Sequence, residues 1–250
     1  MPGLQDSVIT ITGAASGMGL ETAKYMASLG GKVSIADVNE APLEQAASDI
    51  KSAGGQVLST VVDIRDRSQV EQWIKNTVEH FGKIDGCANL AGVIAKQQNM
   101  AKIEEVDDDD WDFVQAVNVK GLLNCMRAQI PHMNDGGSIV NASRIAGLQG
   151  FKQNAAYVAS KHAVIGLTRS AAKELGERNI RCNCFAPGIT DTPMLHQSAS
   201  IRGNELKLDH LALKRKGQAS EVAKLIEFLL SDASSYMTGT VQSIDGGWHC

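Results

Sequence analysis

Long apolar runs are missing from this chain. None approaches the ~20 residues that a membrane-spanning helix requires, which argues against a transmembrane protein. An excess of basic charge is missing too. The 24 Lys and Arg face 28 Asp and Glu, for a net charge of −4, and that balance gives no electrostatic case for nucleic acid or an anionic membrane surface as a partner. Residues 1–6 lack a basic-then-apolar leader pattern, so a cytoplasmic protein is expected. Cysteine is scarce and odd in number. Cys87, Cys125, Cys182, Cys184 and Cys250 show no framework spacing, which points to reduced thiols. Cys182 and Cys184 have no second Cys or His pair at ligand spacing. They read as two residues on one face of a strand, and no metal site is expected. Repeats, low-complexity segments and inter-domain linkers are absent as well.

What is present is the composition of a globular domain, with 43% hydrophobic and 21% charged residues over 250 positions. Short β-branched runs alternate with longer helical patterns. Strands are predicted over 7–12, 32–37, 56–63, 84–89, 137–142, 180–185 and 240–244. Helices are predicted over 17–29, 41–53, 68–81, 108–130, 154–176 and 219–230. The strands are almost continuously apolar, as strands covered by helices on both faces must be. The reading is α/β: one domain over 1–250, a Rossmann fold with a doubly wound parallel sheet of about seven strands and helices on both faces. The long stretch with weak pattern, 190–218, is too long for an ordinary connection and reads as a binding loop or lid.

The first strand runs directly into Thr12-Gly13-Ala14-Ala15-Ser16-Gly17-Met18-Gly19. Glycines there permit a sharp turn and let backbone N–H groups approach a pyrophosphate, while the following helix aims its positive end at that anion. The same glycines would also suit a tight strand–helix turn with no ligand, but Asp37 ends the second strand 18 residues after Gly19. A carboxylate at that spacing accepts hydrogen bonds from adenosine ribose hydroxyls and repels a 2′-phosphate. Neither Ser16 nor Val38 supplies the cation an NADP site wants, so NAD is expected in preference to NADP.

Tyr157, Ser160 and Lys161 stand near the start of a predicted helix, with Tyr157 and Lys161 four apart on one face. An ammonium beside a phenol stabilises the phenolate and makes the tyrosine a usable general acid or base. Alone, the pair reads as an ordinary amphipathic helix with a Tyr and a Lys.

In combination these motifs make the chain resemble the short-chain dehydrogenase/reductase family over nearly its whole length. Thr12-Gly13-x-x-x-Gly17-x-Gly19 is similar to its cofactor loop, and Asp63-Ile64 resembles the pair that holds the adenine. Asn89-Leu90-Ala91-Gly92 is similar to its Asn-Asn-Ala-Gly motif, with Leu90 replacing the second Asn. Asn118 matches the helix Asn that supports a proton-relay water near the lysine, and Tyr157-x-x-x-Lys161 matches the catalytic pair. Pro187-Gly188-Ile189-Thr190-x-Thr192 resembles the segment over the nicotinamide and its phosphate, and Asp245-Gly246-Gly247 the C-terminal strand end. The resemblance implies hydride transfer between a nicotinamide and a carbon bearing oxygen. Tyr157 would exchange the hydroxyl proton, and Lys161 would hold the ribose and lower the tyrosine pKa. It also implies a homo-oligomer, a dimer or tetramer, in which Trp248, His249 and Cys250 would pack against another subunit.

The match breaks at one point. The family serine about thirteen residues before the tyrosine falls on Arg144, with Ser143 next to it. Ser143 could serve after a local backbone shift, although adjacent strand-end residues point to opposite sides. Arg144 could itself polarise a carbonyl or bind a substrate carboxylate. A third reading has ordinary redox chemistry weakened and the site diverted, for instance to isomerisation. His196 and His210 in 190–218 read as solvated loop residues, and 107–110 as a helix N-terminal charge cluster. Leu195, Ile201, Leu206, Leu208, Leu211 and Leu213 suggest an apolar pocket for a small, polycyclic, secondary-metabolite- or steroid-like substrate. A catalytically silent NAD-binding protein is the remaining class, against which Tyr157, Lys161 and Asn118 argue.

Overall fold

The computed structural model describes residues 4–203 and 207–250. Seven strands form one parallel sheet: β1 (Val8–Thr12), β2 (Lys32–Asp37), β3 (Gln56–Val61), β4 (Ile84–Asn89), β5 (Met133–Ala142), β6 (Arg181–Pro187) and β9 (Val241–Ile244). Their spatial order is β3-β2-β1-β4-β5-β6-β9. The chain winds outward from β1 to β3, then returns to the other side of β1 at β4. That reversal leaves a crevice beyond the carboxyl ends of β1 and β4, where ligands bind in open α/β sheets.

The strand residues dictate this arrangement. Every residue of β1, β4 and β6 is buried, whereas the edge strands β3 and β9 are partly exposed. Helices α1 (Gly17–Ser28), α2 (Glu40–Ser52) and α8 (Ala219–Leu230) cover one face through Ala23, Met26, Leu43 and Ile226. Helices α3 (Arg67–Phe81), α5 (Leu122–Gln129) and α6 (Ala155–Glu174) cover the other through Trp73, Ile74, Met126 and Val164. Cys87, Cys125, Cys182 and Cys184 are buried free thiols, the last two alternating along β6.

Two elements differ from the sequence expectation. The long helix over 108–130 is α4 (Asp108–Gln115), a π-helical turn at Ala116–Gly121, and α5. Such wide turns recur at functional sites, and this one carries Asn118 and brings Gly121 against Ile64. The stretch 190–218 is not a plain loop. Strands β7 (Thr190–Asp191) and β8 (Gly217–Gln218) pair at its base, and α7 (Pro193–Arg202) rises between them. Thr192 caps α7 by accepting from the Leu195 amide, and Pro193 fills its first turn. Those two residues were the overlooked start signal. No helix among the described residues is long and apolar enough to cross a membrane.

Candidate active site

A cleft of about 380 Å³ opens at the carboxyl ends of β1 and β4. It brings together Gly13, Ser16, Gly17, Met18 and Gly19, then Asp37, Asp63 and Ile64, then Ala91 and Gly92. At its other end stand Ser143, Arg144, Tyr157 and Lys161, with Pro187, Thr190 and Thr192 along the side.

The glycine loop is fixed by contacts that tolerate no other backbone. Thr12 Oγ1 accepts from the Leu90 and Ala91 amides at 3.0 and 3.2 Å, tying the ends of β1 and β4 together. Gly13 has φ +70° there, and a Cβ on it would lie 2.8 Å from Ala91 Cα. A Cβ on Gly19 would collide with the Gly13 carbonyl. Ser16 precedes α1 without capping it through its side chain, and no carboxylate stands in the first turn. The first-turn amides are thus left without side-chain partners at the cleft, an arrangement that suits an anion. Asp37 is half-buried at the end of β2, with Oδ2 accepting from the Ala15 amide at 3.1 Å and Oδ1 from the Asn39 amide at 3.0 Å.

Asp63 is turned toward Arg65. The Arg65 guanidinium beside it holds its carboxyl below the usual carboxylate range, and Arg65 also stands 5.5 Å over the Phe113 ring. Sequence reasoning passed over Arg65 and Phe113, because a cation and a ring 48 positions apart carry no local pattern.

Tyr157 and Lys161 share a face of α6, and both are buried. Lys161 Nζ lies 5.6 Å from the Tyr157 ring centroid and donates to the Ala142 carbonyl at 3.0 Å. Burial pushes the Tyr157 phenol up, and the charge acting against that is Arg144. Burial, assisted by Arg144, lowers the Lys161 ammonium to about 8.

Ser143 Oγ donates to the Lys161 carbonyl at 2.9 Å and is buried. Its proton is therefore directed at α6. Asn118 Oδ1 accepts from the Val93 amide at 2.8 Å, and Nδ2 donates to the Val93 carbonyl and to Ser160 Oγ. Ser160 in turn donates to the Tyr157 carbonyl at 2.8 Å. Asn118 thus holds the β4–α4 connection against α6.

Four sequence candidates do not line the cleft directly. Asn118 lies behind it, as described. Asn89 belongs to a buried amide ladder: it bonds Asn141 Oδ1 at 3.0 Å and Gln129, which reaches Thr10, while Asn141 donates to Thr168. Gly188 packs against Asp245, where a Cβ would lie 2.7 Å from its Cα. Ile189 joins Leu195 and Leu211 in a hydrophobic cluster with Leu208 and Trp248. The expected apolar pocket is corrected accordingly. Among its described residues, Leu195 alone lines the cleft; Leu208 and Leu211 pack in that cluster, Ile201 packs beside Ile94, Ala146 and Tyr157, and Leu213 is exposed. Leu206 lies outside the described residues. Trp248 packs within the chain on Phe151 and His210, and His196 is exposed beside Asp191.

A family model described as Enoyl-(Acyl carrier protein) reductase matches residues 13–249. The short-chain dehydrogenase/reductase aba4 of Botryotinia fuckeliana is 47% identical, aligned over 98% of this chain and 97% of that protein. The short-chain dehydrogenase/reductase ABA4 of Pyricularia oryzae is 45% identical over 98% and 93%. Among solved structures, levodione reductase superposes with a TM-score of 0.92 at 36% identity, covering 98% of each chain.

Proposed function

The chain belongs to the short-chain dehydrogenase/reductase family, and from that premise we propose an NAD(H)-dependent oxidoreductase that interconverts a secondary alcohol and a ketone on a small molecule. The observation that carries this reading is the continuity of one cleft from the glycine loop and Asp37 to Tyr157. Uncapped first-turn amides of α1 fit a pyrophosphate, and the Asp37 carboxylate fits ribose hydroxyls in preference to a 2′-phosphate. Asp63 and Ile64 would hold the adenine, Lys161 and Tyr157 the nicotinamide ribose, and Pro187, Thr190 and Thr192 the nicotinamide end.

When bound, the dinucleotide supplies the two-electron acceptor or donor. The protein's part is positional and protonic. The Tyr157 hydroxyl exchanges a proton with the substrate oxygen, and the Arg144 charge keeps its phenolate within reach against the effect of burial. Ser143 and Asn118 fix α6 so that Tyr157 and Lys161 keep their spacing. Ser143 would act as a substrate donor only after turning from the Lys161 carbonyl.

The test is a paired assay of the natural chain and Arg144→Ser with NAD and a panel of polycyclic secondary alcohols, following NADH absorbance and product mass together. Formation of NADH with loss of two hydrogens from the substrate is expected from the natural chain. NADH from the serine variant alone would favour the second reading, a non-redox rearrangement enabled by Arg144, and isomerised product of unchanged mass would establish it. Tighter binding of NADPH than NADH would overturn the reading of Asp37. A dimer or tetramer, part of the same reading, is checked by light scattering.

A further inference from the structure

Past Arg144 the cleft meets a second cavity of about 640 Å³. Gln98, Arg144, Leu195 and Ser198 line both spaces, so the two share one wall. Ile145, Ala146, Phe151 and Trp248 give the second cavity an apolar, aromatic side. Its charge has one sign. Arg144 and Lys207 contribute cations, and no Asp or Glu is among the described residues that line it. Arg144 is half-buried, and among the described residues its guanidinium has no hydrogen bond or ion pair. A partly desolvated guanidinium without a counter-ion is costly, and its planar fork matches a carboxylate in two hydrogen bonds.

Two acceptors complete the chamber. Gln98 and Asn154 are 7% and 8% exposed, and their side-chain oxygens Oε1 and Oδ1 are buried without a hydrogen-bond partner. Buried amide oxygens are ordinarily satisfied, and both residues line this cavity. Gln98 is held there deliberately by its surroundings. The buried Asp110 carboxylate accepts from the Lys96 and Gln97 amides at 2.9 and 3.0 Å, and Gln98 Nε2 donates to Ser198 Oγ at 3.4 Å.

We propose that the second cavity holds the far part of the substrate, that this substrate is a carboxylic acid whose carboxylate pairs with Arg144, and that its hydroxyl groups donate to Gln98 Oε1 and Asn154 Oδ1. The proposal deepens the alcohol–ketone reading and rests on it only for the reacting carbon beside Tyr157. An uncharged substrate would leave Arg144 unmatched, and one without hydroxyl groups would leave both oxygens unmatched as well.

The experiment is calorimetric titration of the NADH-loaded chain with cyclic keto acids and their methyl esters, for example 4-oxocyclohexanecarboxylate and a 3-oxocholanoate, each paired with its ester. The acid is expected to bind about tenfold or more tightly than its ester, and the ratio to fall near one in Arg144→Gln. Equal affinity of acid and ester, no binding by any acid, or a ratio that survives Arg144→Gln overturns the proposal. The comparison on the natural chain needs no variant, and circular dichroism verifies that Arg144→Gln is folded. NADH formation from NAD and the matching hydroxy acids, and from neutral secondary alcohols, is read separately. Acid preference without NADH formation sinks the redox reading and keeps the anion site; NADH formation without acid preference does the reverse.

Discussion

The two ends of the cleft are built by different means. At the end proposed for the dinucleotide, the wall is mostly backbone. Gly13 and Gly19 sit where a Cβ would strike Ala91 or the loop itself, Thr12 staples β4 to β1, and Asp37 is fixed by the Ala15 amide. At the substrate end, side chains from distant segments meet. Gln98 follows β4, Arg144 follows β5, Asn154 opens α6, Leu195 and Ser198 come from α7, and Trp248 follows β9. Backbone recognition restricts residue type, because only glycine fits certain turns. Side-chain recognition restricts only the net chemistry of the chamber, which many residue sets satisfy.

The difference can be broken at either end. The largest effect is expected where the two meet: Tyr157→Phe should lower kcat by about 10³-fold in steady-state assays with little change in Tm, since a buried ring of the same shape remains. Gly19→Ala should come next. Its methyl meets the Gly13 carbonyl, so NADH affinity by fluorescence titration should fall about 10²-fold, with a stability cost of about 1–3 kcal/mol. Asp37→Ser should shift the NADH-over-NADPH preference about tenfold toward NADPH; an unchanged ratio would show that the carboxylate serves only its loop.

The smallest effect concerns the core beneath both ends. Burial raises the thiols of Cys87, Cys125, Cys182 and Cys184, Cys184 to about 11. The unfolded chain ionises them from about pH 9 upward, so it binds fewer protons than the native state there and stability falls. Lys161 acts oppositely: lowered to about 8 in the fold, it adds stability as pH rises from about 8 toward its unfolded value near 10.4. Four thiols outweigh one lysine. The urea midpoint should rise slightly from about pH 7 to 8 and then fall, and Lys161→Met should remove the rise.

Legibility in the sequence follows the same division. The strands, their burial on both faces and the glycine loop were readable because period and residue type are local properties. The Tyr157–Lys161 pair was singled out by the family resemblance, since helix spacing alone left it an ordinary amphipathic pair. Asn89 was misleading, because its motif lies beside the cleft while its amide joins the core ladder. The role of Asp110 was hidden inside an acidic run. Three of those residues only begin or extend α4, while Asp110 turns inward and holds the loop carrying Gln98. No periodicity marks that inward turn, nor does any mark Asn154 or Phe151, which acquire meaning only when β5 and α6 have placed them.

The amide ladder from Thr10 through Gln129, Asn89 and Asn141 to Thr168 also acts as a checksum on assembly. It links β1, β4 and β5, strands drawn from segments far apart in the chain, with two helices. In strands buried on both faces a slip of one residue exchanges the two faces yet still buries carbon, so hydrocarbon side chains alone discriminate register less sharply than polar ones. Here the same slip sets an amide against a methyl group on every strand it crosses. The penalty for a mispaired sheet is thus collected in one place, directly beneath the switch point on which the whole cleft depends, and any drift of the sequence at one rung has to be answered at the next.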